Sequence, residues 1–536
     1  MSMHRSEQAA PLTRVDFALA VGLFGLSLAL YVRTLAPGLL PADSAEFQTL
    51  AHELGATHPT GYPVYLLLAH LLVRTGVGEP AFAVNLFSAL MASCAVGGLF
   101  LVARLLVRGR ETALLAALAF ALSPTFWSQA LIAEVYTCAI ALLVACLAAV
   151  LAWWRTERPG WLLLAGLAGG LSLGVHLTVG LFAPAIVVFL LGARRGRLAV
   201  WLGASGGAAL GVLLVVLASW YIDRRAPASN YLAAVVYPSR SVWGLSASQL
   251  DSFPERALFN LSARQFQSEM FRDVRQVMPG LARQYFKRLP REVPYAGLVF
   301  ALVGAWVLLA RRRELAGLFL GALGIQWVYT FNYSIPDLYV YYLPGYVLLW
   351  LLGAVGLDAL LEWSWTAPGR QALARVLTVL AAPVVLVPLA WPRMPAVVQG
   401  RPMPFTFPEY PWDVAANAAL LAESREVVRA LEPGARVFTN WGRLYAYYYV
   451  AHVEQGRRDL SFTETYPSME PAPFARSALA EVREALGAGR AVYFSEFSDE
   501  MQEDLRLERH VVGSKLLFRA WLLEAPPPAR APLPAP

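Results

Sequence analysis

Two carboxylates, Asp43 and Glu46, stand three residues apart, directly after the first long apolar run of the sequence. On a helix this spacing puts both side chains on one face. One carboxylate can then remove the proton from a hydroxyl group while the other orients a substrate or binds a cation. The same spacing is also typical of a helix start, with Asp43 as the N-cap residue and Glu46 completing a capping box. The spacing alone leaves both interpretations open.

A stiff segment with the sequence His-Pro-Thr-Gly-Tyr-Pro follows at residues 58–63. Its two prolines fix the backbone, and Gly61 permits a sharp turn or the close approach of a ligand. We expect His58 to donate a hydrogen bond to a phosphate oxygen and Tyr62 to pack on a sugar ring or a prenyl tail. The alternative is an ordinary turn at the membrane interface with a tyrosine anchor.

Further polar side chains border or interrupt the later apolar runs, and we expect them to contact a substrate: Glu134, Tyr136, His176, Asn332 and Asp337. Ionisable groups at such positions are functional candidates by default. Plainer explanations exist for each of them. Glu134 is also typical of a first-turn carboxylate favoured by the helix dipole, His176 of a structural histidine, and the tyrosines at 339–342 of an aromatic belt.

The polar segment 222–292 carries ten arginines. Arginine binds phosphate through two parallel hydrogen bonds, so one or two of these residues are candidates for holding a phosphate group. Arg240 and Arg291 are the first choices, and the others are typical of a solvated surface. The sequence neither requires nor excludes a divalent cation as cofactor.

The composition is that of a protein that crosses a membrane many times. Hydrophobic residues make up 57% of the chain and charged residues 15%, against about 25% charged in soluble domains. Many runs exceed the roughly 18 apolar residues of a membrane span. The net charge of +7 comes almost entirely from arginines spread over short loops. Because the sequence shows no contiguous basic face with stacking aromatics, we expect no nucleic-acid partner.

The hydropathy pattern predicts an all-α bundle of about eleven transmembrane helices within residues 15–390. They cover residues 15–35, 81–107, 112–122, 135–154, 161–175, 177–191, 198–221, 293–310, 315–330, 340–361 and 372–389. The short apolar segment 64–72 is expected to lie along the interface. The fifth and sixth spans meet at His176 and are alternatively one bent element.

Short basic loops alternate with polar ones along this series. With eleven spans, all the arginine clusters fall on the side that the positive-inside rule makes cytoplasmic. These clusters are at residues 5–14, 104–110, 155–158, 194–197, 311–313 and 370–375. The N-terminal segment 1–14 is therefore predicted to be cytoplasmic, and the loops 36–80 and 222–292 to lie outside.

A small α/β domain is predicted at residues 391–523, also on the outer side. Helical periodicity marks residues 423–431 and 479–486, and short strands are expected at 435–439, 491–495 and 515–522. Helices that alternate with strands favour an α/β arrangement. The tail 524–536 is rich in Ala and Pro and is predicted to be disordered.

Several motifs between residues 37 and 460 are specific as a set, although each is weak alone. They are DSAEF (43–47), HPTGYPVY (58–65), NLFSAL (85–90), SPTFWSQ (123–129), AEVY (133–136), GVHLT (174–178), NYSIPD (332–337) and GRRDL (456–460). In this order they resemble a bacterial multi-pass family of the GT-C glycosyltransferase superfamily, to which the eukaryotic transmembrane protein O-mannosyltransferase is related. Ala45, where Gly is expected, and Thr60, where a second Pro is common, depart from that pattern without removing a functional group.

The resemblance implies a GT-C fold with its active site at the outer membrane face. It further implies a polyprenyl-phosphate sugar as donor, inversion at the anomeric carbon, and an acidic residue of the first outer loop as base. That base maps onto Asp43, with Glu46 second.

The sequence therefore predicts a membrane glycosyltransferase of the bacterial inner membrane, surrounded by membrane lipids. Its sugar would be mannose and its acceptor a protein hydroxyl group, or else a glycan. Two rival hypotheses stay open: a flippase or transporter of lipid-linked sugars, and a non-catalytic membrane scaffold. A transporter more often shows paired repeats with broken helices, and the sequence has no visible repeat.

Overall fold

The computed structural model describes residues 11–193, 198–246, 248–366, 369, 371–402, 417–467 and 472–523. The chain divides into two compact units. The helical unit comprises Met1–Arg225 and Ala257–Asn417, and the sheet unit comprises Ala226–Arg256 and Ala418–Pro536. Some sequence-based predictions fall wholly or largely outside the described residues: the segment 1–14, the tail 524–536, and the arginines at 194, 195, 197 and 370.

The helical unit holds α1 to α17, of which α11 extends into it from the sheet unit. Their bounds are α1 Arg14–Arg33, α2 Ala42–Glu53, α3 Pro63–Val73, α4 Pro80–Leu106, α5 Arg110–Leu122, α6 Pro124–Gln129, α7 Tyr136–Thr156, α8 Gly160–Ser172, α9 Ala183–Gly192, α10 Leu198–Asp223, α11 Phe253–Leu261, α12 Val274–Glu292, α13 Tyr295–Arg311, α14 Arg313–Thr330, α15 Leu343–Thr366, α16 Gln371–Ala390 and α17 Met394–Gln399. Short 3-10 turns precede α9 and α15, at Leu177–Phe182 and Leu338–Tyr342.

Among the described residues, six helical stretches are long and apolar enough to cross a membrane. They include α1, α4, α7, α10, Leu338–Thr366 and Arg375–Gln399. A seventh is reached when α12 and α13, which meet at 106°, count as one span. The other predicted spans also form helices close to the expected positions, but they do not all meet this length criterion. The total of eleven therefore stays a prediction.

The start of α1 shows how a helix end is fixed on the side predicted to be cytoplasmic. The Thr13 hydroxyl and the Asp16 carboxylate form a capping box at its first turn. The fully buried Asp16 also accepts hydrogen bonds from Arg104 Nε at 3.0 Å and Arg110 Nε at 2.9 Å. Two arginines therefore pair with this buried carboxylate and fix the start of α1 against the end of α4 and the start of α5.

Helices α13 and α15 pack with their backbones in close contact because small residues line the interface. A Cβ atom on Gly304 would lie 1.9 Å from the carbonyl oxygen of Leu352, and one on Gly356 would lie 1.9 Å from that of Phe300. No side chain longer than hydrogen fits at either position without moving a helix.

Gly304→Ala is therefore expected to destabilise the fold by about 1 to 3 kcal/mol, the usual cost of overpacking. The control is Gly317→Ala on α14, where an added Cβ meets no atom within 4 Å. Thermal unfolding of the purified protein in detergent should show a lower melting temperature for Gly304→Ala than for Gly317→Ala. Equal melting temperatures would contradict the close packing of α13 on α15.

The sheet unit contains α18 Asn417–Ala430, α19 Trp441–Tyr448 and α20 Arg476–Gly487, and the strands β1 Arg436–Thr439, β2 Ser461–Glu464, β3 Val492–Phe494, β4 Leu505–Val512 and β5 Lys515–Leu522. The strand order is β2-β1-β3-β5-β4. Strands β1, β2 and β3 pair in parallel, and β4 and β5 form an antiparallel extension. The predicted helices and strands are present, while α19, β2 and β4 were not predicted.

Candidate active site

Helix α2 carries both carboxylates of the first outer loop, but it does not use them as a cap. Its N-cap residue is Pro41, which makes no side-chain capping bond, and Asp43 lies in the first turn. The capping-box interpretation of Asp43 and Glu46 is therefore wrong. Glu46 is fully buried, whereas Asp43 is partly exposed. The two carboxylates thus differ in their access to a substrate.

Glu46 holds His58 at two points. Its Oε1 atom accepts a hydrogen bond from the His58 backbone N–H at 2.8 Å, and its Oε2 atom lies 2.5 Å from His58 Nδ1. This fixes both the backbone and the ring of His58 against α2. The other ring nitrogen, Nε2, lies 3.2 Å from the Tyr62 hydroxyl, which donates to the Pro59 carbonyl. The segment 58–63 is therefore a rigid loop tied to Glu46.

The charges around His58 keep its ring protonated. Burial lowers the pKa of His58, but the carboxylates of Glu46, Asp43 and Asp337 outweigh this and raise it to about 9. For the partner, burial raises the pKa of Glu46 and the contact with His58 opposes that rise. At neutral pH the loop thus presents an imidazolium ion beside the partly exposed carboxylate of Asp43.

Three later loops bring further predicted residues to the same place. The rings of Tyr62 and His176 stack at 6.2 Å, and the Tyr136 ring lies 5.2 Å from His176. The Tyr136 hydroxyl donates a hydrogen bond of 3.2 Å to Asp337 Oδ2. Tyr136, His176 and Asp337, which are distant in sequence, therefore form one polar wall with Tyr62 of the His58 loop.

The surroundings raise the pKa of the carboxyl group in this wall and lower the pKa of its imidazole group. Burial, together with the charge of Asp43, raises the pKa of Asp337 to about 6. Burial and the nearby charge of His58 lower the pKa of His176 to about 4. The site thus pairs a cationic histidine with a neutral one, and Asp337 changes its charge near neutral pH.

Glu134 also faces this site. Its Oε1 atom lies 3.5 Å from the Ser44 hydroxyl, next to Asp43 on α2. Burial, together with the charges of Asp43 and Asp337, raises the pKa of Glu134 well above its usual range. The alternative of a first-turn helix carboxylate is wrong, because α7 begins at Tyr136 and has no acidic residue in its first turn.

Asn332 makes contacts that stabilise the local structure, unlike the other predicted residues. Its side-chain amide donates to the Val328 carbonyl at 2.7 Å and so closes the C-terminal end of α14. Its backbone carbonyl accepts from Phe271 N–H at 2.6 Å. These contacts give Asn332 a structural task, and substrate binding by Asn332 stays a prediction.

The two arginines expected to hold a phosphate belong to different units of the structure. Arg240 belongs to the sheet unit and Arg291 is an exposed residue near the end of α12. Arg288, one turn before the end of α12, is nearly buried instead. Its Nη2 atom donates to the Thr125 hydroxyl at 3.1 Å, and its guanidinium lies 4.8 Å from the Tyr339 ring.

Arg288 was missed by the sequence analysis although a signal for it exists. It stands four residues before Glu292, at the spacing of a helical ion pair, and its Nε lies 3.5 Å from Glu292 Oε1. Glu292 is itself fully buried and accepts hydrogen bonds from Thr125. This ion pair fastens α12 to α6, and the roles predicted for Arg240 and Arg291 remain untested.

The described residues contain no group of three His, Cys, Asp or Glu side chains arranged to hold a metal ion.

Comparison with solved structures defines the fold. Crystal structures of ArnT from Cupriavidus metallidurans are similar over 94% of this chain and 97% of theirs. The TM-score is 0.54 for ArnT bound to undecaprenyl phosphate and 0.52 for the apo state, at 13% and 15% sequence identity. The chain thus has a GT-C fold, with a bundle of apolar helices and a small C-terminal sheet unit.

Sequence comparison gives a more particular likeness. Residues 43–198 match the protein O-mannosyl-transferase TMEM260 N-terminal domain. Protein O-mannosyl-transferase TMEM260 from Mus musculus is 36% identical over 119 residues, which are 22% of this chain and 17% of the mouse protein. The homologue from Dictyostelium discoideum is 27% identical over 129 residues, 24% of this chain and 16% of that protein.

The match therefore spans less than one fifth of each relative's length. The family match, residues 43–198, begins at Asp43 and includes all the predicted site residues of the first loops up to His176, but not Asp337. Both relatives are eukaryotic, so the bacterial origin of the resembling family stays a prediction.

Proposed function

We propose that this protein is a membrane glycosyltransferase that moves a sugar from a polyprenyl phosphate to a hydroxyl group, with Asp43 as the base. One observation carries the proposal: in a GT-C fold, the partly exposed carboxylate of Asp43 shares α2 with Glu46, which holds both the backbone and the ring of His58. The likeness to proteins named O-mannosyl-transferase favours mannose as the sugar and a protein as the acceptor.

Asp43 and Glu46 have different roles in this proposal. Both oxygens of Glu46 are engaged with His58 and the side chain has no exposed surface. Glu46 is therefore a positioning residue. Asp43 has the access to an acceptor that Glu46 lacks, so Asp43 takes the role of base.

The reaction is a single displacement. Asp43 removes the proton from the acceptor hydroxyl, and the acceptor oxygen forms a bond to the anomeric carbon. The bond between that carbon and the phosphate oxygen breaks, and its electron pair stays on the phosphate. The positive charge of the His58 imidazolium, whose ring Glu46 and Tyr62 hold in place, stabilises the negative charge that develops on the phosphate. Because the chain supplies no covalent intermediate in this scheme, the sugar is transferred with inversion.

The wall formed by Tyr62, Tyr136, His176 and Asp337 is suited to the sugar. Aromatic faces next to a carboxyl group offer stacking surface and hydrogen-bond acceptors to a ring rich in hydroxyl groups. Glu134 completes this wall from the side of Ser44. These residues are proposed to contact the donor, whereas Arg240 and Arg291 remain candidates for its phosphate.

The membrane arrangement is part of the proposal. All the residues that surround Asp43 come from loops that the positive-inside rule assigns to one side. The opposite end of the bundle carries Arg104, Arg110 and the start of α1. We place the active site and the domain 391–523 outside the cytoplasm, and the N-terminus inside, in a bacterial inner membrane.

The proposal is tested by incubating membranes that contain the protein with a panel of radiolabelled polyprenyl-phosphate sugars. We expect one donor, mannose first, to label a polymer in the membranes or an added protein acceptor. Membranes from cells without the protein are the control. Movement of the labelled lipid across the bilayer, with no sugar released from its phosphate, would favour the flippase instead.

A further inference from the structure

A cavity opens at the end of the helical bundle opposite Asp43. It lies between the end of α4, the end of α13 and the C-terminal half of α15, and measures about 80 Å³. This is enough for more than one water molecule, which takes up about 30 Å³ in the liquid. Three arginines, Arg108, Arg311 and Arg312, line it together with the carboxylates of Asp358 and Glu362.

One of the two carboxylates is already engaged. Asp358 accepts hydrogen bonds from the backbone N–H groups of Arg108 at 3.1 Å and Gly109 at 2.8 Å. Its charge therefore faces the positive N-terminal end of α5, which begins at Arg110. The backbone thus fixes Asp358, whose single negative charge offsets one of the three guanidinium charges around the cavity.

The second carboxylate forms only a weak pair. Glu362 Oε1 lies 3.3 Å from Arg108 Nη1, and both side chains are about half exposed, at 51% and 50%. Exposed ion pairs of this kind contribute little. Among the described residues, no carboxylate forms an ion pair with Arg311. The cavity therefore keeps an excess of positive charge.

Arg312 is held in place at the cavity wall. Its Nη1 atom donates to the Leu106 carbonyl at 3.4 Å, and its guanidinium lies 6.0 Å from the Trp154 ring. Arg155 is close enough to Arg312 for their charges to repel each other. An anion in the cavity would therefore stabilise Arg312.

The remaining lining is aliphatic and includes Val307, Leu308 and Val355. On another face of α13 the side chains of Leu302 and Trp306 are largely exposed, at 72% and 68%. A free phosphate ion would not bury this apolar surface, whereas the acyl chains of a lipid would cover it.

We propose that this cavity binds the phosphate headgroup of an anionic phospholipid, with its acyl chains along α13. Guanidinium groups match a phosphate bidentately, and basic pockets between transmembrane helices are a known setting for anionic headgroups. The positive-inside rule assigns this end of the bundle to the cytoplasmic leaflet. The site is separate from the one that contains Asp43, and the proposal does not depend on the proposed function.

The test is binding of phosphatidylglycerol to the full-length protein in detergent, followed by native mass spectrometry. Arg311→Gln and Arg312→Gln are each compared with Arg313→Gln, an exposed residue next to the cavity that does not line it. An arginine near a lipid headgroup contributes about 1 kcal/mol, which corresponds to about fivefold in Kd. We expect that loss in both cavity variants and none in Arg313→Gln.

Phosphatidylcholine and inorganic phosphate complete the design. Weaker binding of phosphatidylcholine, and no displacement of phosphatidylglycerol by inorganic phosphate, would support a lipid site. Equal binding of both lipids, full displacement by inorganic phosphate, or an equal loss in Arg313→Gln would overturn it. If Arg312→Gln does not fold, the exposed Arg311 decides the outcome, and Arg311→Lys should lose less than Arg311→Gln.

Discussion

Asp43→Asn should lower the rate constant for sugar transfer by about 10²- to 10⁴-fold, the usual contribution of a positioned general base. The amide keeps the size of the side chain but cannot accept the acceptor's proton. Because Asp43 lies inside the first turn of α2 and is not its N-cap residue, and because the amide has the same size as the carboxylate, the variant should insert and fold like the wild type. The KM for the donor should change only a few-fold, since the loss lies in the chemical step.

The measurement is the initial rate of sugar transfer at saturating donor, with protein amount and melting temperature as checks on folding. Glu79→Gln is the matched control, because Glu79 is an exposed carboxylate of the same outer loop. That variant should keep the wild-type rate. Full activity in Asp43→Asn would show that Asp43 is not the base. Glu134 and Asp337 would then be the candidates for that role.

Glu46→Gln should shift the pH dependence of transfer rather than abolish it. In the wild type, the carboxylates around His58 raise its pKa to about 9, so activity that needs the imidazolium persists to about that pH. Without Glu46, burial acts against the remaining charges and the pKa of His58 falls towards the ordinary value of about 6.5 or below. The basic limb of kcat/KM should therefore move to lower pH by at least about one unit.

A purely structural role for Glu46 would give a different result. It would reduce the amount of folded protein and leave the basic limb where it is. Glu79→Gln again serves as control and should leave the profile unchanged. A profile in Glu46→Gln that matches the wild type would show that His58 does not act through its charge.

The helices were largely predictable because long apolar runs leave few alternatives in a membrane. The N-terminal cap of α2 was not predictable from the sequence. Pro41 precedes the helix and shifts its start so that Asp43 falls inside the first turn. The carboxylate partner of His58 is then decided by the fold of residues 54–62, which brings His58 back to Glu46 and not to the exposed side of α2.

The composition of the site was predicted only as a set of loops on one side of the membrane. The alternation of basic loops assigns Glu134, His176 and Asp337 to the same side. No local pattern, however, predicts that the Tyr136 hydroxyl reaches Asp337, because about 200 residues separate them and the contact depends on how α7 packs near α15. Pairings of this kind follow from tertiary structure alone.

The spacing of the buried residues of α12 favours Arg288 over Arg291 as the side chain nearer the core. Tyr285, Leu289 and Glu292 recur at helical spacing and are the buried residues of α12. Arg288 lies beside that face, and Arg291 lies away from it. The polar character of the whole segment 222–292 hid this periodicity.

In the sheet unit the short or polar elements were missed. Strand β2 has only four residues, and β4 exposes most of its side chains, so neither shows clear alternation. Helix α19 contains Tyr445, Tyr447 and Tyr448, whose preference for strands weakens a helical pattern. Pairing with β1 and β5 fixes the two strands, and burial of the tyrosines fixes the helix.

The most direct test of the proposed function uses purified protein in liposomes with one defined donor, polyprenyl-phosphate mannose, and a hydroxyl acceptor. The configuration at the anomeric carbon of the product is read by NMR. We predict a glycoside with configuration inverted relative to the donor, formed by the wild type and lost with Asp43→Asn. Retention of configuration, or movement of intact donor across the bilayer with no product, would contradict a single displacement with Asp43 as base.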